Sequence, residues 1–187
     1  MTKRIIDILL IILALPLIII MFLMIYTVIR VTSKGPVIYW SKRIGEKCIE
    51  FDMPKFRTMK VNTPVLASHL LSSPENYLTS IGKILRKFSL DELPQLWSVF
   101  KGDMTLVGPR PALFNQYDLI KLRNTLGINN LVPGLTGWAQ INGRDEISIS
   151  KKVEFDLYYL NNKSIFLDIK IFFLTLAKII LKVDISH

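Results

Sequence analysis

The sequence predicts an α+β fold, mainly helical, with a membrane-embedded N-terminal helix ahead of a small domain carrying a short β-hairpin and an amphipathic interface helix. Three observations predict it. Ile8 to Tyr26 runs without one charged residue, and about twenty apolar residues suffice to cross a bilayer as a helix. Two β-prone runs, Val37–Trp40 and Cys48–Phe51, flank Gly45, as a hairpin requires. Ile165 to Val183 is strongly apolar but gathers Lys170, Lys178 and Lys182 on about a third of a helical wheel.

Residues 1–34 form the first unit. Lys3 and Arg4 precede the apolar run, and Arg30 and Lys34 follow it. No small-residue cleavage site follows, which argues against a signal peptide. Pro16 stands in the middle, where it removes a backbone hydrogen bond and kinks or breaks a helix. Cations at both ends give no single-pass orientation. A helix that bends at Pro16 and returns to its own side fits these facts, and so does a kinked spanning anchor.

Residues 35–187 form the second unit, opened by the Gly35-Pro36 turn. Lys42 and Arg43 are expected at the hairpin turn, and Lys55-Phe56-Arg57 offers cations interleaved with an aromatic. Val61 to Leu78 holds Pro64, Pro74 and His69 and reads as a loop. Leu78 to Phe88 resumes a helical pattern.

The chain carries 24 Lys and Arg against 15 Asp and Glu, a net charge of +9. Polyanions are therefore its natural partners: anionic lipid, phosphorylated substrates or nucleic acid. No helix-turn-helix, zinc or RNP pattern supports nucleic acid. Cys48 is the only cysteine, and His69 and His187 the only histidines. These cannot build a disulfide or a cysteine cluster, and a histidine-based triad or zinc site lacks imidazoles. Chemistry must come from carboxylates and cations.

Arg86 to Pro111 concentrates them. Asp91 and Glu92 follow Ser89, and Ser89 with Glu92 matches a capping box with Phe88 and Leu93 as its staple. At the positive end of a helix the field favours ionised carboxylates, and an ionised Asp91 is a competent nucleophile. Arg86 lies just upstream. Arg110 is framed by Pro109 and Pro111, whose fixed backbone presents a guanidinium at small entropic cost. A second patch, Val132 to Arg144, supplies glycines for close backbone approach, Trp138 as an apolar surface, and Asn142 and Arg144 as polar anchors. It has neither Walker nor Rossmann glycine spacing. A membrane-tethered adaptor binding polyanions would have no need of an acidic pair set between arginines.

Ser89 to Pro111 together with Pro133 to Arg144 resembles the bacterial sugar transferase family of monotopic polyprenol-phosphate phosphoglycosyl transferases, in its small single-domain form. The likeness runs from the apolar segment through Lys55–Met59 to Phe155–Tyr159. It implies an enzyme that moves a sugar-1-phosphate from a UDP-sugar to polyprenol (undecaprenyl) phosphate and releases UMP. Such enzymes initiate capsule, O-antigen or other glycoconjugate assembly. It implies that Asp91 is the nucleophile forming an aspartyl phosphosugar, and that Glu92 helps hold Mg2+. Lys55, Arg57, Arg86, Arg110, Asn142 and Arg144 would bind substrates, with Arg86 at the lipid phosphate and Arg144 on the nucleotide side. Pro109 and Pro111 would shape the site. The resemblance also implies a re-entrant helix broken at Pro16 and a catalytic domain on the cytoplasmic face of the inner membrane. The donor would be an N-acetylated amino sugar, membrane lipids would be partners, nucleic acid would not, and a homodimer is compatible. The sequence departs from the family pattern at Leu15, where a serine is usual, and at Ser41, where a glutamine is common.

Overall fold

The computed structural model describes residues 2–64, 74–143 and 147–181. His69, Arg144 and Lys182 fall outside them. Helix α1, Thr2–Thr32, takes the whole apolar run. At 1.5 Å per residue it is about 46 Å long, more than the roughly 30 Å hydrocarbon core. Pro16 lies inside it, and the middle of the helix is bare, with Leu13 82% and Leu17 62% exposed.

Both ends of α1 rest on the rest of the chain. Near the start, Lys3 pairs with Asp168 and Arg4 donates to the Phe100 carbonyl at 2.6 Å. The buried Asp7 accepts a hydrogen bond from Thr105. Near the other end, Ile29 is buried with Val37, Phe56 and Leu85, and the Phe22 and Phe56 rings lie 4.9 Å apart.

Strands β1 (Ile38–Ile44) and β2 (Glu50–Phe56) form the expected antiparallel hairpin. Lys42 and Arg43 sit within β1 rather than at the turn. Ser41 and Ile44 are both buried along the strand, and the chain reverses through Glu46–Cys48 instead. Helix α2, Ser80–Lys87, is capped by Thr79, whose hydroxyl accepts from the Gly82 N–H at 3.0 Å. A 3-10 turn, Leu90–Gln95, leads into α3, Leu96–Lys101.

The patterns did not announce a second sheet. Strand β3 (Thr105–Val107) pairs in parallel with β4 (Gly134–Thr136), and both are too short to show periodicity. Between them lies α4, Tyr117–Thr125. A short α5, Trp138–Ile141, precedes α6, Ile149–Asn162, and α7, Ile165–Leu181. The main core joins Met53, Val99, Met104, Leu106, Ile141 and Ile171 beneath the β3–β4 pair. Helix α7 turns an apolar face outward, with Phe166 85% and Phe173 63% exposed. Lys170 lies 5.7 Å from the Trp138 ring centre, and Trp138 stacks on Tyr158 at 5.1 Å.

Candidate active site

Asp91 and Glu92 occupy the 3-10 turn, and the capping box expected at Ser89 does not form. Ser89 adopts φ 55°, ψ 21° and makes no side-chain cap. A left-handed residue cannot start a helix in that way, and holding a non-glycine there costs about 1–2 kcal/mol. The kink turns the chain sharply out of α2, so the acidic pair meets β2 rather than continuing the helix axis. With three residues per 3-10 turn, the neighbouring carboxylates diverge by about 120°. Asp91 is 7% exposed.

Glu92 is gripped by two cations. Arg110 Nη2 donates to Oε1 at 2.5 Å and Nη1 to Oε2 at 3.4 Å. Lys55 Nζ, from β2, reaches Oε1 at 3.3 Å. Burial brings the Lys55 ammonium pKa down to about 8; Glu92 opposes that shift, while Arg110 and Arg43 add to it. Lys55 therefore sits near the point of losing its charge.

The segment carrying Arg110 is fixed by its carbonyls, each held from a different direction. Pro109 O accepts from Gly134 N at 2.9 Å. Arg110 O accepts from Arg123 Nη1 at 2.8 Å. Pro111 O accepts from Arg43 Nη1 at 3.2 Å, and Ala112 O from Ile44 N at 2.9 Å. Arg123 is itself held by Asp156, at 2.6 and 3.0 Å, in a nearly fully buried pair. Burial pushes the Asp156 carboxyl pKa up despite Arg123 beside it.

Gly134 and Gly137 of the second patch lie directly against backbone. A Cβ on Gly134 would stand 2.1 Å from Gly108 N, and one on Gly137 2.1 Å from Gly108 O. They let two loops touch directly behind Arg110.

Other expected residues are spread more widely. Arg86, in the last turn of α2, donates from Nε to Thr58 Oγ1 at 3.0 Å. Arg57 is buried, and its guanidinium goes to Ser33 at the end of α1, at 2.7 Å to Oγ and 3.1 Å to the carbonyl. Burial lowers its pKa. Asn142 returns its amide to the Trp138 carbonyl at 2.8 Å. Ser41 accepts from Arg43 Nε at 3.0 Å. The structure thus brings together Asp91, Glu92, Lys55 and Arg110, and does not bring Arg57 or Asn142 to them.

Asp7, Arg123 and Asp156 had no assigned part in the sequence reading. Asp156 carries a signal in retrospect: Val153, Asp156 and Tyr159 share the buried face of α6, and a carboxylate on a buried stripe needs a cation.

A cleft of about 210 Å³ opens beside Glu92, lined by Glu92 and Arg110 together with Leu93, Leu96, Phe172 and Leu176. Among the described residues no group of three or more His, Cys, Asp or Glu could cage a metal. Asp91 and Glu92 suit Mg2+ only in the mode where one or two carboxylates share the ion with substrate phosphates. Chemically, the arrangement sets two carboxylates beside two cations that an incoming phosphate could take over from Glu92.

The family model described as bacterial sugar transferase matches residues 1–182. An uncharacterized sugar transferase of Bacillus subtilis, EpsL, is 42% identical over 160 residues, covering 86% of this chain and 78% of that protein. The UDP-glucose:undecaprenyl-phosphate glucose-1-phosphate transferase of Escherichia coli is 41% identical over 160 residues, covering 80% of this chain and 34% of the relative. The UDP-N-acetylgalactosamine-undecaprenyl-phosphate N-acetylgalactosaminephosphotransferase of Aeromonas hydrophila is 35% identical over 184 residues, covering 95% and 43%.

Proposed function

The chain belongs to the bacterial sugar transferase family, and from that premise we propose that it transfers a sugar-1-phosphate from a UDP-sugar to undecaprenyl phosphate. The relatives named for this reaction and the acidic pair beside Arg110 and Lys55 support the reading. The observation that carries it is the buried Asp91 next to a Glu92 already held by two cations.

In this reading Lys55 and Arg110 exchange Glu92 for the donor's diphosphate and hold it over Asp91. An Asp91 oxygen attacks the β-phosphorus, and the bond to the bridging oxygen breaks. UMP leaves with that oxygen and its electron pair. The sugar phosphate is left as a mixed anhydride on Asp91. A phosphate oxygen of the lipid then attacks the same phosphorus and the Asp91–phosphorus bond breaks. Free carboxylate and polyprenyl-diphosphate-sugar result. Glu92, released by the cations, would hold Mg2+ together with the phosphates; a bound Mg2+ neutralises diphosphate charge. Arg86 is the candidate for the lipid phosphate. An N-acetylated amino sugar is the first donor to try, and glucose the second.

We place the enzyme at the inner membrane with its catalytic domain on the cytoplasmic face and α1 dipping into the bilayer. The support is that Lys3, Arg4 and Asp7 near one end of α1 and Ile29 near the other rest on one body. Contacts with one body at both ends favour a helix that returns to its own side.

The test is UMP release from a panel of UDP-sugars, with and without undecaprenyl phosphate and Mg2+, beside Asp91→Asn. Release that requires the metal, increases with the lipid and vanishes in the variant is expected. Full activity in Asp91→Asn would refute the mechanism.

A further inference from the structure

We propose that the cleft between the catalytic turn and α7 seats the phosphate-proximal isoprene units of the acceptor, with α7 as one of its walls. The inference rests on the reaction proposed above and adds where the lipid lies.

The lining is largely apolar, with Leu93, Leu96, Leu106, Phe172, Leu176 and Ile179 beside the few charged groups Glu92, Arg110 and Lys178. Phe172, Leu176 and Ile179 recur at four and three residues, one stripe of α7. This lining suits the apolar isoprene units of an amphiphile whose phosphate lies outside the cleft. A UDP-sugar is polar along its whole length, and its hydroxyls and uracil would lose water against leucine and phenylalanine without gaining partners.

The wall is fixed before any ligand arrives. Thr136 and Thr175 share a hydrogen bond of 2.6 Å between β4 and α7. Asp168, at the start of α7, accepts from Tyr159 Oη at 2.7 Å and pairs with Lys3 of α1. A preformed site spends little affinity on ordering its walls.

Size and surroundings set how much lipid it takes. At about 210 Å³ it falls below the roughly 300–1,000 Å³ of sites for drug-sized ligands, so only the head end of a long polyprenyl chain fits. The remainder would leave along the outward apolar face of α7, where Phe166, Ile169 and Phe173 are exposed.

The experiment uses the full chain in lipid nanodiscs and a polyprenyl phosphate bearing a diazirine on its first isoprene unit. Photolysis is expected to label residues 172–179, and excess undecaprenyl phosphate to suppress the label. Labelling confined to α1 or β2, labelling that excess lipid does not suppress, or no labelling would overturn the proposal. As a second arm, Leu176→Trp fills the cleft from a position already 40% exposed. It is expected to raise the acceptor KM about tenfold, a cost of about 1.4 kcal/mol, with the donor KM within about twofold. An equal rise in donor KM would show that the cleft holds the nucleotide sugar and would also overturn the proposal. Wild-type UMP release separates the two readings: its absence with every donor refutes the reaction, while the labelling decides the cleft by itself.

Discussion

Removing either partner of the buried Arg123–Asp156 pair should be more damaging than removing both. The pair is 4% and 2% exposed at its side chains, so Asp156→Leu strands a guanidinium in the interior. Breaking such a pair costs about 3–5 kcal/mol. For a chain of this size each kcal/mol lowers Tm by about 2–4 °C, so the expected fall is about 6–20 °C. Arg123→Met strands the carboxylate and should cost a comparable amount. The double variant leaves no buried charge and should recover to within about 1–3 kcal/mol of wild type, the remainder being the Arg110 carbonyl left without Arg123. It should not recover activity, because Arg123 also holds the Arg110 carbonyl at 2.8 Å. If half of the cost of losing that hydrogen bond, about 1–3 kcal/mol, reaches the transition state, kcat/KM falls about 2- to 13-fold. Thermal unfolding followed by tryptophan fluorescence, with UMP release on the same preparations, reads both effects. Single variants costing under about 1 kcal/mol, or a double variant with wild-type kcat/KM, would refute the reasoning.

Three further outcomes are expected. Lys55, with its pKa lowered to about 8 by burial, should lose its charge as pH rises through that value, so the donor KM should climb above pH 8 in wild type and stay flatter in Lys55→Arg, whose charge persists. Stability should move the other way: the charged ammonium is disfavoured in the fold, and that cost disappears between about pH 8 and the unfolded value of 10.5. Gly134→Ala would drive a Cβ to 2.1 Å from Gly108 N, a backbone clash expected to cost about 1–3 kcal/mol or more, measurable as a lower Tm together with a higher donor KM as Arg110 shifts. With α1 dipping into the membrane, cysteines introduced by Thr2→Cys and Glu46→Cys in a Cys48→Ser background should react with an impermeant maleimide from the same side. Opposite-side labelling would mean a spanning anchor.

The readable parts of the sequence were those with local signals. The uncharged run gave α1, Gly45 between β-prone runs gave a hairpin, and the lysine-bearing apolar segment gave α7. The parallel β3–β4 pair was not legible, since three-residue strands carry no periodicity and their pairing is long-range. Ser89 matched a capping box in spacing, yet its backbone is left-handed, a choice made by the tertiary turn toward β2. At the site, Glu92 and Arg110 could be named because Pro109 and Pro111 mark Arg110 locally. Arg57 looked equivalent to Lys55 in the same basic run, but its backbone N–H makes one further hairpin bond, to Val37 O, where the chain leaves β2, and its guanidinium goes to Ser33. Arg123 had no local mark at all, since its partners, Arg110 O and Asp156, lie 13 and 33 residues away.

The central claim is that Asp91 carries the phosphosugar between donor and lipid. Intact-mass analysis of the enzyme mixed with UDP-sugar and Mg2+, without lipid acceptor, tests it most directly. An added mass equal to one sugar phosphate, located on Asp91 by peptide mapping, absent from Asp91→Asn and discharged by undecaprenyl phosphate, is the result expected. UMP and lipid-linked product forming together, with no adduct on Asp91 under any quench, would contradict it.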